Sequence, residues 1–147
     1  MRFESAGIGV VAIALVLSGC ASGGGMMVRK PAVCADQTVQ VYFDPDSAEV
    51  TRESRAVLRQ AAAAAKGCEV RKVSVLGLAD AAGTPEANMA LSEKRAQSVS
   101  AALQAAGLPP GEFELAAQGQ AGSVTATGQA APLRRRADIT LNLAMPD

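Results

Sequence analysis

Residues 69–106 read EVRKVSVLGLADAAGTPEANMALSEKRAQSVSAALQAA. Glu69–Leu78 is strand-like, and its apolar run Val73–Leu78 predicts burial on both faces, as in a central strand. Asp80–Gly83 carries no apolar period and reads as a loop. Thr84–Ala106 is helical, with Ala96, Val99, Leu103 and Ala106 on one side, and Ser92 is a position where it could break and re-cap. A strand followed at once by a helix of this length is half of a crossover unit, which points to an α/β sandwich.

The flanks extend the pattern. Thr38–Phe43 alternates, with Val39, Val41 and Phe43 on one face. Asp44-Pro45-Asp46-Ser47 breaks that strand, Thr51 suits an N-cap, and Arg52–Lys66 reads as a helix with Val57, Leu58, Ala61 and Ala65 inward. Gly67 suits the position just past its end. Downstream, Gly107–Gly111 stops the second helix and Phe113–Gln118 is a third strand. Gly119–Pro132 reads as a mobile loop, and Arg136–Leu143 alternates as a fourth strand. The expectation is a βαβαββ α/β (α+β) sandwich over residues 33–147, with helices packed on one face of a mixed sheet.

The first residues read differently. Gly7–Leu17 is uncharged and too short for a span, which needs about 20 apolar residues. It fits the hydrophobic region of a secretory signal over residues 1–19. Leu17-Ser18-Gly19-Cys20 resembles a bacterial lipobox, so Cys20 is the expected lipidation site. Residues 20–32, with three consecutive Gly, read as a flexible linker. Lipoproteins of this kind are held in the inner membrane by an Asp after the lipidated Cys. Ala21 and Ser22 stand here instead, which implies the outer membrane, facing the periplasm.

Composition narrows the function. Fourteen basic residues balance fourteen acidic ones, which argues against a nucleic-acid partner. The chain has no His, which removes Ser-His-Asp and Cys-His catalysis and His-containing zinc sites. Three Cys are too few for a Cys₄ zinc site, so no metal or cofactor is expected; the common catalytic chemistries are gone, though composition alone does not exclude an enzyme. Cys34 precedes the first strand and Cys68 the second. In a right-handed βαβ unit both fall at the same end of the sheet. A Cys34–Cys68 disulfide is therefore expected in an oxidising periplasm, the alternative being two half-buried thiols.

Asp80 follows a strand directly, at the end where ligand sites of α/β folds gather. Arg95 stands fifteen positions later on the helix. Such a pair can meet a zwitterion, the guanidinium taking a carboxylate and Asp80 an ammonium. The residues alone leave open a plain surface ion pair.

Four blocks carry a family resemblance. Tyr42–Ala48 (YFDPDSA) resembles the "FDxxSA" opening of the OmpA-like C-terminal domain, the family that includes the peptidoglycan-associated lipoproteins. Gly77–Gly83 (GLADAAG) resembles its "GHTDxxG". Asn88–Ala96 (NMALSEKRA) meets "NxxLSxxRA" at every fixed position, and Arg134–Ile139 (RRRADI) resembles "NRRVxI". The resemblance implies non-covalent binding of peptidoglycan through the diaminopimelate of its stem peptide. It implies an outer-membrane lipoprotein that tethers the membrane to the wall. It places the ligand-binding Asp and Arg on Asp80 and Arg95, with Asn88, Asp44, Arg135 and Arg136 in support. The departures are Leu78-Ala79 for the family's His-Thr, Arg134 for its Asn, and Ala87 for its Tyr. A pocket altered at these positions would suit the alternative: an interaction module, without wall binding, in an envelope assembly, secretion or motor complex.

Overall fold

The computed structural model describes residues 33–124, 127 and 134–147. The expected signal, linker and Cys20 lie outside these, as do positions 125, 126 and 128–132 of the Gly119–Pro132 loop. The elements run β1 (Gln37–Tyr42), α1 (Arg52–Ala64), β2 (Glu69–Gly77), α2 (Pro85–Ala105), β3 (Phe113–Ala117) and β4 (Arg136–Ala144), the expected βαβαββ order.

Each helix starts where a side chain can satisfy the free N–H groups of its first turn. Thr51 Oγ1 accepts from the Ser54 N–H, and Thr84 Oγ1 from the Ala87 N–H ahead of Pro85. α1 stops at Ala64, two residues before the expected end. Gly67 then takes φ +90°, a left-handed turn that a side chain would resist. Leu58, Ala61 and Ala65 face inward as the period predicts, but Val57 is exposed. Val57 sits off the buried arc, on the flank that borders the edge strand β1.

The sheet order is β1-β4-β2-β3. β4 lies between β1 and β2, antiparallel to both, and β2 and β3 are parallel. All three parallel strands therefore end, and β4 begins, at one edge of the domain. Both helices start at that edge, while Cys34 and the end of β4 lie at the other. β2 is paired on both sides, as its apolar run implies. Its second face is only half-buried, however, at Ser74 and Leu76. Both helices cover the same face, so alternate residues of β2 have no layer above them. The core lies under the helices: Val41, Val73, Val75, Ala137, Ile139 and Leu141 of the sheet meet Leu58, Val99 and Leu103.

α2 does not break at Ser92. The hydroxyl, fully buried, donates to the Met89 carbonyl three residues back at 2.8 Å and accepts from the Gly119 N–H at 3.0 Å. A helix carries such a back-bond without interruption. Here it also pins α2 to the segment after β3.

Cys34 and Cys68 are joined in a disulfide spanning 34 residues, at the edge remote from the strand ends. It closes a loop around β1 and α1. Cross-linking a loop of this size removes about 3.7 kcal/mol of unfolded-chain entropy, before any strain. Reduction is expected to lower the urea midpoint accordingly; equal midpoints with and without dithiothreitol would show that the bridge carries no stability. Beside it, Asp36 accepts from the Leu143 N–H and the Asn142 amide, both at 2.9 Å, which hold its carboxyl below the usual range.

Candidate functional site

The edge where β1, β2 and β3 end collects most of the expected site residues. The turn Asp44-Pro45-Asp46-Ser47 comes first. Pro45 presets the second position, and Asp46 takes φ +53°, which an acidic residue tolerates better than most. The Ser47 N–H closes the turn on the Asp44 carbonyl at 3.2 Å. This geometry turns the carbonyls of Asp44 and Ser47 towards α2.

Arg95 receives them. Its Nε donates to the Ser47 carbonyl at 2.8 Å, Nη2 to the Asp44 carbonyl at 3.2 Å, and Nη1 to the Leu78 carbonyl at 2.8 Å. The guanidinium also lies over the Phe43 ring, 5.0 Å from its centre. Arg95 is 0% exposed and is the largest fully buried side chain among the described residues. Burial pulls its pKa down; the charge of Asp80 opposes this, Arg135 adds to it, and Asp46 opposes it. A guanidinium stays charged under such a shift, so a cation is stored beneath the surface. As folded, Arg95 offers no surface to a ligand.

Asp80 stands above it. The carboxylate accepts weakly from the Ala82 N–H at 3.4 Å and pairs with Arg135 Nη1 at 3.3 Å. Its side chain is 19% exposed and that of Arg135 34%, so this pair is open to exchange with solvent or ligand. The surface pair is therefore Asp80–Arg135, with Arg95 as its charged floor. Asn88 is buried at the first turn of α2, where its Nδ2 donates to Gln120 Oε1 at 2.7 Å. The Asp44 side chain is exposed, and its contribution to the constellation is its carbonyl.

Arg136 is not brought to this group. It lies on the face of β4 opposite the buried Ala137, where Nε and Nη2 bond Asp138 at 2.7 and 3.2 Å. Those bonds hold its pKa above the ordinary value. The alternation of β4 sends Arg135 and Arg136 different ways. Arg134 reaches the Ala121 carbonyl and Gln118 Oε1. Sequence reasoning missed two contributors: Ser47, through its carbonyl, and Gln120, through its amide. Ser47 is the Ser of the FDxxSA block, but a motif letter does not reveal that its carbonyl is the working group, and Gln120 lies in a run of Gly and Ala that carries no period.

The Leu78-Ala79 departure is buried, both residues being at most 1% exposed. The Leu78 N–H donates to the Arg136 carbonyl and the Ala79 N–H to the Gly119 carbonyl, at 3.0 and 2.8 Å. The backbone there is tied to both neighbouring segments, and Ala79 brings no hydroxyl to the pocket.

Fold and constellation together define an OmpA-like α/β domain. The profile of the OmpA family matches residues 42–137, and the chain belongs to that family. It is 34% identical over 120 residues to Outer membrane protein A of Bordetella avium, covering 77% of this chain but 61% of that one. The chain thus spans about three fifths of that relative's length. Among solved structures it resembles the peptidoglycan-associated lipoprotein from Burkholderia pseudomallei, at 32% identity and a TM-score of 0.58, covering 69% of this chain and 88% of that one. It also resembles the cell wall anchor of the type VI secretion system from Pseudomonas aeruginosa, at 28% identity and a TM-score of 0.58, covering 74% and 82%. Among the described residues no helix is long and apolar enough to cross a membrane.

Proposed function

We propose that this chain is an outer-membrane lipoprotein, anchored through Cys20 and facing the periplasm, that binds peptidoglycan without a covalent bond. The observation that carries this reading is the part-exposed Asp80–Arg135 pair seated over the buried charge of Arg95. A diaminopimelate side chain ends in an ammonium and a carboxylate. The ammonium replaces Arg135 at Asp80, and the carboxylate takes the freed guanidinium, so one ion pair becomes two. Arg95 supports the exchange from below through its field and by holding the 44–47 turn and the Leu78 carbonyl in place. Asn88 and Gln120 bound the site from the α2 side, and Arg136 serves the sheet rather than the ligand. The names of two relatives, a peptidoglycan-associated lipoprotein and a cell wall anchor, agree with this chemistry.

A lipid anchor at Cys20 and a wall-binding site at Asp80 in one chain make a tether.

The test is pelleting of the full chain with purified peptidoglycan. Asp80→Ala is expected to reduce binding at least tenfold, since it strips the ammonium of a part-buried charged partner, worth about 1.5–3 kcal/mol. Equal pelleting of Asp80→Ala and wild type would sink the site. Failure of the wild type to pellet would transfer the domain to the alternative role, an interaction module in an envelope complex.

A further inference from the structure

The proposed site leaves one charged feature of the domain unused. Arg52, Arg55, Arg59 and Lys66 are all exposed along α1 and the turn that follows it. At 3.6 residues per turn they fall within an arc of about 60°, a stripe about 21 Å long. The only acidic residue of α1 is Glu53, which lies on the other flank with Val57, beside β1. Among the described residues, none of Arg52, Arg59 and Lys66 has a carboxylate partner, and Arg55 donates to the Val50 carbonyl at 2.8 Å. In a chain with equal numbers of acids and bases, this helix carries a segregated positive face.

The stripe begins at the edge of the sheet that holds the site. α1 opens a few residues after the turn that feeds Arg95, and Ser54 of its first turn donates to the Tyr42 carbonyl at 2.9 Å. It ends at a hollow of about 690 Å³, lined by Arg59, Ala62, Lys66, Gly67, Leu108 and Pro109. A membrane surface is met by cations beside protruding large apolar side chains. The exposed Val57 is on the opposite flank, so the stripe lacks that second half. A hydrated, branched polyanion meets the requirement better.

We infer that the basic stripe of α1 is a second contact surface for the same wall polymer, taking carboxylates of stem peptides neighbouring the one held at Asp80. The inference rests on the wall-binding reading and deepens it. One specific ligand group is gripped at the strand ends, and the adjoining anionic branches lie along α1. Their attraction is non-specific, long in range and sensitive to salt.

The experiment compares the full-length wild type, the triple variant Arg52→Gln/Arg59→Gln/Lys66→Gln, and Asp80→Ala, each pelleted with purified peptidoglycan at low salt and at about 0.3 M salt. Gln keeps the helix propensity, and an unchanged urea midpoint shows that the triple variant folds. The triple variant is expected to bind about tenfold more weakly than wild type at low salt, and to match it at high salt. Asp80→Ala loses binding at both. A triple variant equal to wild type at low salt, with Asp80→Ala still defective, overturns the stripe and leaves the site. The reverse pattern overturns the site and leaves the stripe. If the triple variant keeps its grip on peptidoglycan but loses attachment to phosphatidylglycerol vesicles, the stripe serves the membrane and the inference fails.

Discussion

Arg95→Ala is expected to unfold the domain at a much lower urea concentration than wild type, with a loss of about 3–5 kcal/mol. The carbonyls of Ser47, Asp44 and Leu78 each lose a charged donor, in a place where the side chain is 0% exposed. Among the described residues, only the Asp44 carbonyl of the three keeps another partner, the Ser47 N–H. The Phe43 ring loses the cation above it, and the largest fully buried side chain among the described residues leaves a void. Arg95→Lys is expected to recover only part of this, because one ammonium on a flexible stem cannot match the planar fork that serves three acceptors. An Arg95→Ala midpoint close to wild type would refute this role. The consequence for function is direct: lost wall binding in Arg95→Ala measures folding as much as ligand contact. Asp80→Ala and Arg135→Gln are the informative variants.

Gly77→Ala is expected to be as damaging, or to prevent folding. A Cβ on Gly77 would stand 1.9 Å from the Ser92 carbonyl oxygen and 2.8 Å from its carbon. Both are backbone atoms in the middle of α2, so no side-chain rotation relieves the overlap. Either β2 and α2 separate or the helix distorts, and both disturb Val75, Ala96 and Val99 in the core. The cost is about 3 kcal/mol or more, on the scale of overpacked cores. Because Gly77 closes β2 just before Leu78 and Asp80, partial accommodation would also shift the site. Urea unfolding of soluble Gly77→Ala gives the measure, and a loss below 1 kcal/mol would contradict the close approach.

Much of this architecture was legible in the chain. Val39, Val41 and the alternation of Arg136–Leu143 are local patterns, set by whether each side chain meets water or the helices. Thr51 and Thr84 act through bonds that reach only three residues. Such features need no knowledge of the rest of the molecule. The order of strands, by contrast, is not local. That β4 enters between β1 and β2 follows from the register of Val75 with Ile139 and Val41 with Ala137, pairs more than sixty residues apart.

The site divides in the same way. The types and spacings of Asp80, Asn88 and Arg95 identify the family motif and a charged end of the sheet. The sequence cannot say which cation reaches the surface beside Asp80, because that depends on depth. Arg95 sits inward on α2 and finds three carbonyls there, while Arg135 lies where β4 begins, beside Asp80 at the surface. Arg136, one residue on, is turned to the opposite face by the pleat. The composition, the motif blocks and the positions of the Cys residues are properties of the chain alone. The exchange of partners, Arg135 for Arg95 at Asp80, arises only when segments far apart in the sequence converge, since burial and hydrogen-bond competition are settled by packing.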